Sequence, residues 1–121
     1  MYSRESILWL GLRAKLTEPA EDLPTVEEIN RIIHEPARLQ IMATLYVVDS
    51  ADFLFLMRQT GLTFGNLSSH MSKLEAAGYI EVVKDFVDRK PHTMLRMTRV
   101  GRLAFDAYRK SMNCFLSKLP S

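Results

Sequence analysis

The clearest apolar pattern lies in residues 62–82, LTFGNLSSHMSKLEAAGYIEV. The first part of this stretch keeps helical spacing through Leu67, Met71 and Leu74. The pattern predicts a helix from about Phe64 to Ala77, which Thr63 can cap and Gly78 stops. A strand-like run follows directly after the glycine.

A second face of this helix carries short polar side chains. Four residues share that face, about a third of a turn from the packing face: Asn66, Ser69, His70 and Lys73. Helices that enter the major groove of DNA need one anchored flank and one flank that presents short side chains to base edges. Asn66 can pair with adenine, Ser69 can donate or accept, and Lys73 can meet guanine or a phosphate. Thr63 and the free N–H groups at the helix start can hold a phosphate. A solvated polar face without a ligand is the alternative at this point.

Three further helical patterns precede this segment. TVEEINRII keeps helical spacing and has Thr25 as a plausible cap. HEPARLQIMATLYVV places Pro36 in the first turn of a second helix, whose apolar stripe is Leu39, Met42, Leu45 and Tyr46. The third, FLFLMRQT, can be capped by Ser50 or Asp52 and ends at Gly61. Only GLT separates it from the next helix, so the two form a helix-turn-helix candidate.

The segments YIEVVKDF and TMLRM are rich in β-forming residues and lie on either side of VDRKPH. They predict a two-stranded hairpin with a longer tip. Basic residues gather at the tip and on the strands: Lys84, Arg89, Lys90, His92 and Arg96. A basic hairpin beside a helix-turn-helix can follow the sugar–phosphate backbone or reach the minor groove. An ordinary solvated turn is the alternative, because Asp85 and Asp88 dilute the positive charge.

Both ends of the chain carry apolar stripes. Thr98 can cap a last helix through Leu119, with a long seam formed by Phe105, Tyr108, Met112, Phe115, Leu116 and Leu119. A short N-terminal helix, residues 3–16, has apolar residues on several sides, including Ile7, Leu8, Trp9 and Leu12. We expect these surfaces to join two copies of the chain, and packing within one chain is the alternative. The predicted division is an N-terminal helix and linker (1–24), a DNA-binding domain (25–98) and a C-terminal dimerisation helix (99–121).

Composition narrows the class of protein. The 121 residues fit one domain, and 47% apolar with 25% charged residues is typical of a globular protein in water. A net charge of +2 permits an anionic partner without requiring one. Cys114 is the single cysteine, which excludes an intrachain disulfide, and we expect it to fill a small apolar space. The sequence has no apolar run of membrane-spanning length and no secretory cleavage pattern, so the expected location is the cytoplasm.

The sequence gives little support for a metal site or a catalytic site. His34, His70, His92 and Cys114 lack the spacing of metal ligands, and we expect no cofactor. Ser68, Ser69 and His70 are consecutive, so their side chains point in different directions and do not form a nucleophile–base pair. We therefore expect no enzyme activity. Met42, Met57 and Met71 are expected core residues, and a pocket for an unidentified small-molecule effector stays open as an alternative.

The strongest motifs are GLT.GNLS.H...LE.AGYI, the basic RKP.T segment and MTRVGR. Together with EPARLQIMATL upstream, they closely resemble the small winged-helix DNA-binding domain related to the MarR and ArsR families of transcriptional regulators. The resemblance covers roughly residues 28–108 and implies a homodimeric regulator. It implies that Asn66, Ser69, His70 and Lys73 lie on the recognition helix, and that Arg89 and Lys90 form the wing. Phe64 stands where that family often has a polar residue.

The sequence therefore predicts a mostly helical α+β winged helix-turn-helix, with a two-stranded wing and terminal dimerisation helices. The predicted function is sequence-specific binding of double-stranded DNA by a homodimer, as a transcriptional repressor on a pseudo-palindromic operator. The competing prediction is a winged helix that binds other proteins without specific DNA binding. Modest net charge and the apolar Phe64 on the predicted DNA face favour that alternative slightly.

Overall fold

Four helices and a three-stranded antiparallel sheet make up the computed structural model, which describes residues 29–121. In chain order they are α1 Pro36–Val48, β1 Ser50–Asp52, α2 Phe53–Thr60, α3 Phe64–Ala76, β2 Ile80–Val87, β3 Lys90–Met97 and α4 Arg99–Ser117. The sheet order is β1-β3-β2. The predicted mostly helical α+β class is confirmed. The predicted N-terminal helix, with Ile7, Leu8, Trp9 and Leu12, lies outside the described residues, as do the linker and Thr25.

Side chains begin the helices where the sequence predicts. Asp52 accepts a hydrogen bond from the backbone N–H of Phe55 at 2.6 Å, at the start of α2. The Thr98 hydroxyl accepts one from Gly101 at 2.9 Å, at the start of α4. Each cap satisfies a backbone donor that has no partner inside the helix. Gly61 ends α2 in the left-handed region, with φ 72°, as glycine does most readily.

One hydrophobic core joins all the helices and strands. The predicted stripe of α1 is partly confirmed, because Met42 and Leu45 are fully buried. Ile41, which the prediction omitted, is fully buried as well. Met57 and Met71 pack against the core as expected. The other buried apolar residues are Ile29, Ile33, Ala51, Phe53, Leu56, Leu67, Leu74, Ile80, Leu95, Met97, Phe105 and Tyr108.

The segment before α1 is a turn, although the sequence predicts a helix through Ile33. The Asn30 side chain accepts hydrogen bonds from the backbone N–H groups of Ile32 and Ile33, at 2.9 and 3.1 Å. Such local bonds compete with a continuing helix. Pro36 also restricts the residue before it, and Glu35 is extended, with φ −149° and ψ 132°. Within residues 29–35 the helical prediction is therefore wrong.

The sheet differs from the predicted hairpin in two ways. A short first strand, β1, pairs with β3 through Ser50–Arg96, Ala51–Leu95 and Asp52–Met94, and the sequence pattern did not predict it. The hairpin also closes in a tight two-residue turn, where a longer tip was expected. Asp88 and Arg89 adopt φ values of 52° and 65°, the left-handed pair that matches the twist of the strands. Because neither residue is glycine, the usual signal for this turn is missing.

The first half of the last helix buries one side in the core, and its second half is largely exposed. Phe105 and Tyr108 are 6% and 5% exposed, and the Phe105 ring lies 5.2 Å from Tyr46 of α1. Both were predicted as dimerisation residues, and both are core residues of this chain instead. Leu116 and Leu119 are 51% and 46% exposed. Cys114, expected to be a buried filler, is exposed on α4, so that expectation is wrong.

Candidate nucleic-acid interface

Helix α3 is held to the body along one side. Leu67 and Leu74 are fully buried, and Met71 packs partly against the core. The Thr63 hydroxyl accepts a hydrogen bond from the backbone N–H of Asn66 at 3.2 Å, which fixes where the helix begins. The predicted packing face of α3 is thus present.

The opposite side of α3 is open to solvent. Four predicted site residues are exposed there: Thr63, Asn66, Ser69 and Lys73. Within residues 29–121, the side chains of Asn66, Ser69 and Lys73 make no hydrogen bond or ion pair with the rest of the chain. Ser72, which the prediction omitted, is exposed as well, and its helical spacing from Ser69 could have indicated it. This helix face therefore offers short donors and acceptors free for a ligand.

His70 stands apart from those residues. Its Nδ1 atom lies 3.1 Å from the Arg38 guanidinium and 3.6 Å from a carboxylate oxygen of Glu35, at the start of α1. The side chain is 20% exposed. The grouping of His70 with Asn66 and Lys73 on one free face is therefore wrong. The imidazole joins α3 to α1, so it is a structural contact between two helices.

The Glu35 carboxylate completes this contact. Partial burial by itself raises the pKa of Glu35. The backbone N–H groups of Arg38 and Ala37, together with the charges of His70 and Arg38, outweigh that effect and hold the pKa below 4.5. Glu35 also caps α1, since it accepts the N–H of Arg38 at 2.8 Å. The carboxylate is therefore ionised at neutral pH and stabilises the end of α1 that contacts α3.

Phe64, the first residue of α3, is 67% exposed. Its ring lies 5.0 Å from the Phe53 ring, at an interplanar angle of 56°. One side of the ring thus packs on α2 while the rest faces solvent beside Thr63. This geometry is compatible with an apolar contact to a thymine methyl group or to a partner protein.

Strands β2 and β3 form a two-faced wing, residues 80–97. We call one side the inner face, because its proximal residues Ile80, Leu95 and Met97 are buried in the core. Distally the inner face carries two cross-strand pairs, Lys84 with Thr93 and Phe86 with Pro91. The outer face carries Glu81 with Arg96, Val83 with Met94, Asp85 with His92 and Val87 with Lys90.

The charges of the outer face are largely paired. The Arg96 guanidinium donates to Glu81, and this bond and the carboxylate charge raise the pKa of Arg96 further above its usual range. His92 lies with Nδ1 3.0 Å from Asp85 and Nε2 3.9 Å from Asp52. Arg96 and His92 were both predicted to meet DNA, and the structure instead gives each a carboxylate partner. Lys84, Arg89 and Lys90 are exposed, and within residues 29–121 none of them forms an ion pair.

This arrangement of a capped, two-sided helix beside a β wing agrees with the comparison of sequences. Residues 37–116 match the winged helix DNA-binding domain, which covers well over half of the chain. The chain belongs to the winged helix DNA-binding domain family. The predicted resemblance to a small winged-helix DNA-binding domain is thereby confirmed.

Relatives of this winged helix protein include archaeal proteins. An uncharacterized protein, MJ0432, of Methanocaldococcus jannaschii is 35% identical over 78 residues, which are 64% of this chain and 85% of the relative. The structure of a transcriptional regulator homologue from Pyrococcus horikoshii superposes with a TM-score of 0.72 at 30% identity, over 76% of this chain and 91% of that one. NadR in complex with 4-hydroxyphenylacetate shares the fold, with a TM-score of 0.59 at 17% identity, over 96% of this chain and 78% of its own.

The histidines of this winged helix domain have separate partners. The Nδ1 atom of His34 lies 2.9 Å from the hydroxyl of Tyr108, while His70 contacts Arg38 and His92 contacts Asp85. In the described residues, no three His, Cys, Asp or Glu side chains are grouped so that they could hold a metal ion. No helix in that same part of the chain is long and apolar enough to cross a membrane.

Proposed function

We propose that this protein is a transcriptional regulator that binds double-stranded DNA sequence-specifically, as a homodimer that represses from a pseudo-palindromic operator. The observation that carries the proposal is the division of α3 into two faces. Leu67 and Leu74 are fully buried on one face, while Asn66, Ser69 and Lys73 are exposed on the other. A helix fixed in this way can enter the major groove without losing its hold on the body.

Each exposed group on α3 has a chemically matched target. The amide of Asn66 can donate and accept at once, as adenine requires in the major groove. Ser69 can meet any base edge, and Lys73 suits guanine or a phosphate. Thr63 lies at the helix start, where free N–H groups and the helix dipole favour a phosphate. Together these residues provide both base readout and backbone positioning.

The wing adds cations beside the helix. Lys84, Arg89 and Lys90 are exposed and are the proposed phosphate contacts of the hairpin. We leave Arg96 and His92 out of this set, because Glu81 and Asp85 already accept from them. Phosphate contacts of this kind strengthen binding to every sequence alike.

The proposed dimer rests on the exposed half of α4. Leu116 lies about 20° from Phe105 on the helical wheel, and Phe115 lies about 80° away at the edge of the same side. Leu119 follows just after the helix, so an exposed apolar surface continues beyond the core. A second copy of the helix could cover this continuation. Met112, which is partly buried, would lie at the junction between core and interface. Two α3 helices about 34 Å apart would then read two half-sites, as the two-fold symmetry of a dimer requires.

One relative also supports a role in transcriptional regulation. A protein 30% identical to this one is described as a transcriptional regulator homologue, and it covers most of the chain. A compact dimer on an operator excludes other proteins from that DNA, and we therefore propose repression as the mode of action.

A binding titration tests base readout. DNA selected from a random pool and unselected DNA of equal length are each titrated with wild type and Asn66→Ala. We expect the variant to lose about 1–3 kcal/mol of discrimination per half-site, because a bidentate contact to adenine is removed from each. Asn113→Ala, at an exposed position near the far end of α4, is the matched control and should bind like wild type. Equal losses on both DNAs for Asn66→Ala would contradict base readout by this residue.

The wing is tested by the dependence of affinity on salt. Lys90→Ala should weaken binding to selected and unselected DNA alike, and it should reduce the salt slope by about two for the dimer, one for each Lys90 removed. Lys110→Ala removes an exposed lysine from α4 and should leave the slope unchanged. A stable complex with another protein, formed by a wild type without DNA affinity, would instead support the protein-binding alternative.

A further inference from the structure

We propose that Phe86 inserts into the minor groove as an apolar wedge between base pairs and bends the bound DNA. This inference rests on the proposed function, and it adds a residue and a mode of action that phosphate contacts alone do not supply.

The first observation is the exposure of a large ring at the end of the wing. Phe86 is 74% exposed, so its ring contributes little to the core. It lies two positions before the turn at Asp88 and Arg89, and its cross-strand partner is Pro91, which is also exposed. Burial of such a ring is favourable, and the described part of the chain does not bury it.

The second observation is the direction of the side chain. Side chains alternate along a strand, so Phe86 shares the inner face with Ile80, Val82 and Lys84. Near the body that face is covered by the helices, α3 among them, since Ile80 and Leu74 belong to one core. Beyond the body, none of the residues 29–121 covers the same face. Phe86 therefore projects on the side of the wing that α3 occupies.

The third observation is the charge on each face. Both strand carboxylates, Glu81 and Asp85, lie on the outer face, opposite Arg96 and His92. The inner face carries Lys84, about 6–7 Å along the strand from Phe86, and has no acidic residue on either strand. A cation beside an exposed ring, without an opposing carboxylate, suits a polyanion better than a second copy of this mildly basic chain.

These features fit the minor groove. Proteins that bind there often insert Phe, Leu or Pro between base steps, which partly unstacks them and kinks the duplex. Lys84 and Arg89 can hold the flanking phosphates, while Phe86 and Pro91 present the apolar surface. Flexible pyrimidine–purine steps cost least to open, so Phe86 would add a sequence preference at positions that α3 does not touch.

The test measures bending and unstacking on DNA selected by the wild-type protein. End-labelled duplexes report the bend by energy transfer, and 2-aminopurine placed at successive steps outside the α3 half-site reports unstacking. With wild type we expect a bend and a fluorescence increase at one step beside each half-site. Phe86→Ala should lose both and bind roughly tenfold more weakly, with an unchanged salt slope because no charge is lost.

Two matched variants serve as controls for Phe86→Ala. Val87→Ala shortens an exposed side chain at the neighbouring position on the outer face, and it should bend DNA like wild type. Phe86→Leu keeps an apolar wedge and should retain most of the bend. Thermal unfolding of each variant confirms that the fold is intact.

The outcomes separate the two proposals. If wild type binds no duplex DNA, the proposed function fails and the wedge fails with it. If wild type binds selected DNA and Phe86→Ala bends it equally, the wedge alone is overturned. If Phe86→Ala changes only the oligomeric state in sedimentation, the inner face contacts protein, and the wedge is again overturned.

Discussion

Gly101 lies in α4 at a place where the chain has no room for a side chain. A Cβ atom built there would come within 2.0 Å of the carbonyl oxygen of Tyr79 and within 2.9 Å of its Cα. The neighbouring contacts explain this closeness, because Thr98 donates its N–H to the same carbonyl and its hydroxyl to the carbonyl of Gly78. The start of α4 is thus pressed against the chain that leads from α3 into the wing.

We expect Gly101→Ala to destabilise the protein by about 2–3 kcal/mol, because the backbone of Tyr79 cannot move aside as a side chain would. Alanine normally favours a helix over glycine by about 1 kcal/mol, so the expected sign is the reverse of the intrinsic preference. Chemical denaturation measures the difference in the free energy of unfolding.

Gly65→Ala in α3 is the control for that measurement. A Cβ there meets no atom within 4 Å, so we expect about 0.5–1 kcal/mol of stabilisation. If both variants were stabilised equally, the close approach of α4 to Tyr79 would be refuted.

At the scale of elements, the cap of α1 makes stability depend on pH. The folded-state pKa of Glu35 is lowered, so its contribution is present above pH 4.5 and is lost as the pH falls through the folded value. Glu35→Gln keeps an acceptor oxygen but removes the charge. We expect it to cost about 0.5–1 kcal/mol at pH 7, where the charge interacts with the helix start.

Unfolding curves of wild type and Glu35→Gln, recorded from pH 7 down to pH 3, should converge at the acid end. Glu75→Gln is the matched control, since Glu75 lies in the last turn of α3, where a negative charge opposes the helix dipole. Its removal should be neutral or slightly stabilising. A gap between wild type and Glu35→Gln that stays constant down to pH 3 would contradict the charge effect.

The elements also show what the sequence could predict. Helix α3 was predicted nearly to the residue, because Thr63, Gly78 and the Leu67–Leu74 spacing are local signals. The two wing strands were also predicted, from their content of β-forming residues. Strand β1 was not predicted, because three residues are too few to show a period and because its pairing with Arg96 and Leu95 is non-local.

The exposure of the candidate site residues was predictable to the same extent. Asn66, Ser69 and Lys73 were placed correctly on the surface, because wheel geometry depends only on the helix itself. His70 was misplaced, since its position depends on Arg38 and Glu35, more than thirty residues away. Phe86, the proposed wedge, was not among the predicted site residues, although the alternation of side chains along YIEVVKDF already places it on one face with Lys84.

At the scale of the whole molecule, the proposed dimer makes DNA affinity depend on α4. Leu116→Glu places a charge in the exposed stripe and should shift sedimentation from dimer to monomer. Operator affinity should fall at least tenfold, because the two half-sites are no longer bound together.

Ala107→Glu is the control for the dimer, since it adds the same charge on the opposite side of α4, about 180° away on the helical wheel. It should remain dimeric and bind like wild type. A dimer that survives Leu116→Glu unchanged would place the contact between copies elsewhere.

The alternation of side chains between the two faces of the wing restricts how its strands can change in length. Insertion of a single residue into β2 between Ile80 and Lys84 would rotate every distal side chain of that strand to the other side of the sheet. Asp85 would then point toward the proposed DNA side, and Phe86 would turn away from it. Buried Ile80, Leu95 and Met97 hold the strands in their present register. Hairpins in this lineage should therefore change length by even numbers of residues per strand, and odd indels should be tolerated only within the turn at Asp88 and Arg89.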